Sequence, residues 1–249
     1  SPRQRGVVYA GTKPARVFKS QDGGVSWHEL PALRRIRGRR FWFSPAERPF
    51  TAYVQAIALS PCDAERIVVG IEFGATVVSD DGGRSWSNHR RGSLRDCHGL
   101  CFHAADGSWV YEAGGTGGGA AFSRDGGRTW MQARAGLDRH YGWAVAADPL
   151  DPATWYVALA PGPAEAHGEK GARAAIFRRE GDRWRRLAGG LPQPLPHMPY
   201  ALITNPHEPG ALYAGMSSGE IWYSDDRGDS WVRMRVRMPP IRRTLLIVN

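Results

Sequence analysis

Three histidines stand where chain positions of this kind favour small or apolar residues. His98, His140 and His197 each fall at, or a few residues before, the start of a short apolar run. An imidazole titrates near neutral pH, so it can give or take a proton under ordinary conditions. Glu72, in "GIEFG", adds a carboxylate that could serve as a second base. These four residues are the candidate catalytic set, and the chemistry they suggest is acid–base chemistry on a small molecule. Gln55, Trp143 and Tyr200 each precede a Ser-Pro, Asp-Pro or Asn-Pro pair by the same number of residues, which stacks them with His98; Arg243 is a looser fifth member. Tyr53, Asp96 and Tyr141 come two or three positions earlier. The rings would hold an aromatic or sugar face, and Arg243 would neutralise an anion. Segments after the second apolar run of each group contribute Glu112 and Thr116, from "YEAGGTGGG", and His167, from the long insertion "APGPAEAHGEKGAR" at 160–173, which could act as a lid. The candidate ligand-binding set is therefore Tyr53, Gln55, Glu112, Thr116, Tyr141, Trp143, His167, Tyr200 and Arg243.

The histidines with Glu72 would suit a divalent transition metal. Neither HExxH nor a paired CxxC is present, so no metal ligand is assigned and the cofactor is left unknown. "GGTGGG" lacks the following helix and the Gly-Lys-Ser/Thr of a phosphate loop; a tight loop that lets a ligand approach closely is the expectation. Cys97 and Cys101 lie about 13 Å apart if extended, too far for a bridge. With Cys62 the count is odd, so no disulfide framework is expected.

The elements that must position these residues announce themselves in an octapeptide. "SDDGGRSW" (79–86) has near copies in "SQDGGVSW" (20–27), "SRDGGRTW" (123–130) and "SDDRGDSW" (224–231). Each follows an apolar strand-like run. Glycines supply the positive φ of a tight turn, Asp22, Asp81, Asp125 and Asp226 can accept backbone N–H bonds within their own loops, and the Trp starts the outgoing strand. The box therefore reads as a structural staple at a hairpin. Trp27, Trp86, Trp130, Trp184 and Trp231 are separated by 59, 44, 54 and 47 residues, and the Trp184 unit has lost its box. Each unit reads as strand, proline-marked turn, strand, then the boxed hairpin. Four short strands at this period point to propeller blades. The expected fold is all-β: a five-bladed β-propeller of four-stranded antiparallel blades over 1–249 as a single domain, the first blade closed by the C-terminal strand "RRTLLIVN" (242–249). First strands would then line the axis and bring the candidate residues to one mouth of the channel.

On these boxes the chain resembles the bacterial-neuraminidase (BNR), or Asp-box, repeat proteins, and within them the small bacterial members described as sialidase-like or glycosyl-hydrolase-like. The resemblance covers nearly the whole chain and implies a propeller. It does not fix an activity, because function lives in sites grafted on folds. Sialidases of the family have six blades and an Arg-Ile-Pro motif; "RRIRG" is not that motif, and sialidase catalysis is not expected here.

Among 249 residues there are three lysines and thirty arginines, with a net charge of +9. The arginines are scattered apart from "RRIRGRR" (34–40) and accompany no nucleic-acid motif, so a nucleic-acid partner is not expected. No apolar run reaches the length of a membrane helix. No secretory leader pattern is seen, which gives a cytoplasmic expectation, although the sequence opens on "SPRQRG" without methionine and a removed leader is compatible with that. The functional expectation is a small-molecule-binding propeller, an enzyme working by His/Glu acid–base chemistry at the channel mouth as a hydrolase, lyase or isomerase. Two alternatives stand beside it: a non-catalytic carbohydrate- or protein-binding module, and a metal-dependent enzyme on the same histidines.

Overall fold

Short apolar runs bounded by Gly, Pro and Asp become antiparallel strands, many of them joined by tight turns. The computed structural model describes residues 1–45, 48–115, 118–168 and 170–246. The chain divides into two compact units, Ser1–Glu112 with Ala121–Gln132, and Ala113–Ala120 with Ala133–Asn249.

The first unit opens with a three-stranded sheet of β1 (Val8–Thr12), β2 (Arg16–Ser20) and β3 (His28–Glu29). A second three-stranded sheet follows: β4 (Val54–Leu59), β5 (Ile67–Ile71) and β6 (Thr76–Ser79). Between them "RRIRGRR" coils into two 3₁₀ turns, Pro31–Arg35 and Arg37–Phe41, that bury Leu33. The third sheet has four strands: β7 (Cys97–Phe102), β8 (Val110–Gly114), β9 (Gly119–Ser123) and β10 (Met131–Gln132). The division between the units passes through β8 and β9. The second unit holds β11 (Tyr141–Ala147), β12 (Trp155–Ala160), β13 (Ala175–Glu180) and β14 (Arg183–Leu187), with helix α1 (Pro163–His167) between β12 and β13. Its other sheet is β15 (Pro199–Thr204), β16 (Leu212–Met216), β17 (Glu220–Ser224) and β18 (Val232–Arg237). Within every sheet, neighbours in space are neighbours in sequence.

Strand alternation explains the cores. On β5, Ile67, Val69 and Ile71 pack on one side with Val17, Leu33 and Val77, while Val68 packs on the other with Val78, Val110 and Trp130. A middle strand buried on both faces reads as a continuous apolar run. In the second unit Ala158, Ile176, Leu187, Leu202 and Leu212 do the same work.

The octapeptide turns carry the expected carboxylate bonds and one more device. In the second copy Asp81 accepts the Ser85 N–H at 2.8 Å and also its hydroxyl, and Ser79 donates to Asp81 at 2.8 Å while accepting the Gly83 N–H at 2.8 Å. The other three copies repeat this, with Ser20, Ser123 and Ser224 in the role of Ser79. The leading serine, to which the sequence pattern gave no separate role, thus ties the end of the incoming strand to the turn glycine. Burial alone would raise the Asp81 and Asp226 carboxyls, but the hydroxyl and backbone donors of Ser85 and Ser230 outweigh it and hold both at about 2. Three tryptophans close the turns by donating Nε1–H to a turn carbonyl: Trp27 to Gly24, Trp130 to Gly127 and Trp231 to Gly228. Where the box is lost, β13 and β14 meet across Gly181-Asp182, with Gly181 at φ +56°.

Two expectations meet a different arrangement. The first two sheets have three strands; the second lacks a fourth because "SNHRRG" after Trp86 folds as turn and coil. The described part of the C-terminal segment, 242–246, forms no strand; Ile241 and Leu245 instead pack with Ala201, Tyr213 and Ile221. Residues 247–249 of that expected strand lie outside the described residues.

Candidate functional site

The first strands β4, β11 and β15 share an irregularity at the positions singled out by the sequence. Pairing of β4 with β5 skips between Val54 and Ala56, leaving Gln55 as the extra residue. On β15 it skips between Pro199 and Ala201, leaving Tyr200, and on β11 between Gly142 and Val145, a gap that contains Trp143. A bulge re-aims a side chain and bends its strand, and such bulges gather beside functional sites. No residue pattern in the sequence marks them.

In the second unit these bulges contribute to a cavity of about 450 Å³. Trp143 from β11 and Tyr200 from β15 wall it, with ring centres 5.0 Å apart and planes at 82°. His167, the last residue of α1, lines it too, its ring 5.1 Å from that of Trp143. Ser217, Arg242 and Arg243 complete the polar part of the lining. Both imidazole nitrogens are engaged: Nε2 lies 2.7 Å from the Tyr141 hydroxyl and Nδ1 lies 2.6 Å from the Tyr200 hydroxyl. Tyr200 donates to the Ala166 carbonyl at 3.1 Å. A carbonyl only accepts, so the single Tyr200 proton is spent there and its oxygen takes Nδ1–H. Nε2 is then left to accept from Tyr141. The neutral tautomer is fixed by its neighbours, and the chain Tyr141–His167–Tyr200–Ala166 runs in one direction. Burial raises the Tyr200 phenol above its ordinary value, opposed by the charge of Arg242; Tyr200 therefore keeps its proton.

The first unit gathers a second group. Glu72 follows β5 in a loop pinned by its own N–H to the Tyr53 carbonyl at 3.1 Å and by Gly74 N–H to the Arg95 carbonyl at 2.7 Å. Asp96 and His98 sit two apart at the start of β7, so both point to one side of the strand. His98 Nε2 is 3.3 Å from Asp96 Oδ1 and 3.5 Å from Glu72 Oε2, and all three residues are buried. Glu72, Asp96 and His98 are the one set of three His, Cys or carboxylate residues among the described residues whose donor atoms converge as metal ligands do. Behind them on β8, Glu112 takes a bond from the Thr76 hydroxyl and one from the Leu94 N–H at 2.8 Å. Cys97, between Asp96 and His98, has its thiol pushed well up by burial and by the surrounding carboxylates.

The sequence-predicted residues thus separate. Tyr141, Trp143, His167, Tyr200 and Arg243 come together in the second unit. Glu72 and His98 come together in the first, joined by Asp96, which the sequence placed just ahead of a first strand but not in the candidate set. Glu112 is fully buried and bonded to Thr76 and Leu94 rather than turned to a cavity. Tyr53 is half-buried, with the Lys13 ammonium 6.0 Å from its ring centre, and Gln55 is half-buried on its bulge with both amide atoms buried and without a hydrogen bond. His140 and His197 are exposed and are not part of the cavity lining. Thr116 lies outside the described residues. Arg242 and Ser217 were missed; the only signal for Arg242 was its place beside Arg243.

No described protein family matches the chain, and no curated protein does. Solved structures do. The GH74 xyloglucanase of Xanthomonas campestris superposes with a TM-score of 0.68 at 19% identity, over 94% of this chain and 37% of that one. An ancestral GH74 enzyme gives 0.66 at 18% identity, over 93% of this chain and 32% of that one. YCF48 bound to D1 peptide gives 0.52 at 13% identity, over 89% of this chain and 61% of that one. The chain spans about a third of the length of the GH74 structures. At these identities the likeness shows the fold, an all-β architecture of the β-propeller kind, and does not extend to the chemistry. Among the described residues no helix is long and apolar enough to cross a membrane.

Proposed function

We propose that this chain binds a small anionic molecule with a ring or sugar face, an acidic saccharide of one or two units, in the cavity of its second unit. The observation that carries this is the lining: Trp143 and Tyr200 as aromatic walls, with Arg242 and Arg243 on the same cavity. A volume of about 450 Å³ falls within the few hundred cubic ångströms of small-ligand sites. Aromatic faces take sugar faces, and paired guanidinium groups take carboxylates in a fork. Among the solved structures of like fold are glycoside hydrolases and a peptide-bound protein, so a saccharide and a peptide are both natural ligand classes for such a surface.

The same site supplies acid–base chemistry, with Tyr200 rather than His98, His140 or His197 as the group facing the ligand. Its O–H bonds the Ala166 carbonyl, so donation to a ligand oxygen exchanges that bond; the His167 Nδ1 proton can then pass to Tyr200 and the Tyr141 proton to His167 Nε2, which leaves the negative charge on Tyr141. This is the reading favoured where the ligand is also a substrate. The five-bladed arrangement belongs to the same proposal; it is supported by five consecutive meander sheets and by the likeness to propeller structures. A sheet order other than five successive blades in an experimental structure would overturn it.

Calorimetric titration of the full chain with digalacturonate and with neutral cellobiose tests the binding. Digalacturonate should bind clearly tighter, and Arg242→Ala/Arg243→Ala should weaken it by about 10- to 100-fold, the worth of hydrogen bonds to a charged group. Trp143→Ala should weaken both sugars. Equal binding of the two by the unaltered chain, or an indifferent double arginine variant, refutes the reading.

A further inference from the structure

Asp96, His98 and Glu72 belong to the first unit and play no part in the cavity of the second. They come from two separate places in the sequence. One is the opening of β7, where alternation points residues two apart the same way; the other is the pinned loop after β5. Glu72 is 6% exposed, Asp96 5% and His98 6%. Two carboxylates taken out of water need a cation or protons, since an isolated buried charge is costly. His98 lies against both carboxylates and as an imidazolium would answer one of the two charges.

The geometry points to a divalent transition-metal site, zinc first, held by Glu72, Asp96 and His98. Zinc takes imidazole nitrogen and carboxylate oxygen at about 2.0–2.2 Å, which at a tetrahedral angle sets ligand atoms about 3.3–3.6 Å apart. The separations from His98 Nε2, 3.3 Å to Asp96 and 3.5 Å to Glu72, match that edge. An octahedral magnesium at about 2.0–2.1 Å would draw them to about 3 Å, and magnesium favours oxygen and water over imidazole. Donor atoms of all three lie within 4.8 Å of one another, close enough for side-chain adjustment to bring them onto one ion. Two carboxylates and a neutral imidazole match the charge of the dication. Three protein ligands leave the fourth tetrahedral position to a water or an incoming oxygen.

The test uses the full chain without a histidine tag, stripped with chelator and dialysed, then titrated with Zn²⁺ and separately with Co²⁺. One equivalent of Zn²⁺ per chain is expected by elemental analysis, with the strong visible d–d bands of tetrahedral Co²⁺. Asp96→Asn and His98→Gln should each weaken Zn²⁺ binding by about 100-fold or more, beyond the 10- to 100-fold typical of outer-shell changes. His197→Ala, an exposed histidine, should change neither the stoichiometry nor the spectrum. Substoichiometric zinc in the unaltered chain overturns the site, as does unchanged binding in Asp96→Asn and His98→Gln. If both variants fail to fold, the Co²⁺ spectrum of the unaltered chain decides: weak octahedral bands or none overturn it. Loss of sugar binding in the second unit would leave these outcomes untouched, so the two readings fail separately.

Discussion

Glu112 shows how much one buried carboxyl can shape the behaviour of a strand. Its burial pushes the group up to about 7, against the pull of the Thr76 hydroxyl and the Leu94 N–H. In its protonated form the geometry closes well: the carboxyl O–H can donate to Thr76, Thr76 donates to the Leu94 carbonyl at 3.1 Å, and the Leu94 N–H returns to the other oxygen at 2.8 Å. Because the folded value lies above the unfolded one, folding favours the proton. Stability from this group is fully present below about pH 4.5, the ordinary value, and declines as pH rises toward 7. Glu112→Gln mimics the neutral form. It should fold, be more stable than the unaltered chain at pH 8 by on the order of 1–3 kcal/mol, and flatten the fall between pH 4.5 and 7 in denaturant titrations. A variant less stable at pH 8 with the slope intact would show that the carboxyl is ionised throughout. The sequence placed Glu112 in the segment after a second strand and assigned it to a ligand, whereas it sits on β8. Its partners lie 36 and 18 residues away, a separation no local pattern encodes. His98, His140 and His197 looked equivalent for the same reason: alignment gives register, whereas exposure depends on what packs over each strand.

At the scale of elements, the strands and their turns were largely legible, because alternation and the octapeptide are local. The short outer strands were not: β3 and β10 have two residues each, and the edge of a sheet carries little apolar signal. The bulges at Gln55, Trp143 and Tyr200 were not legible either, since they depend on a partner strand's register. Close packing between sheets left a trace only in glycine. On β5 a Cβ at Gly70 would stand 2.2 Å from the Cys97 sulfur and 2.8 Å from its Cβ, so β7 approaches as near as the backbone allows. Gly70→Ala should destabilise by about 1–3 kcal/mol, the usual cost of overpacking. Adding Cys97→Ala removes the nearer clash, and thermal unfolding of the four-member cycle should give a favourable coupling between the two changes. Strict additivity would place the strands farther apart than described.

For the molecule as a whole, a charge of +9 carried almost entirely by arginine looked like composition, and in part it is placed. β18 is the outer strand of the last sheet, and every residue on it is exposed, with Arg233, Arg235 and Arg237 alternating with Val232, Met234 and Val236. An uncovered strand invites pairing with another chain, and like charges along it discourage that. Replacing the three arginines with threonine should leave the fold intact and make the protein self-associate at concentrations where the unaltered chain is monodisperse by light scattering. An equally monodisperse variant would mean that the edge is guarded by something else.

The four boxed turns have a consequence for how the chain acquires its form. The side-chain bonds that close one run between residues at most four apart, so a turn can begin to form on its own and is tied in later by one longer bond, such as that from the Gly82 N–H to the Glu65 carbonyl. Sheets whose strands pair only with sequence neighbours ask for short loop closures, the kind that is fast. Assembly can therefore start at several turns at once and spread outward from each, and the segment between Trp130 and Trp231, which has only one boxed turn and that at its far end, should be the last to settle.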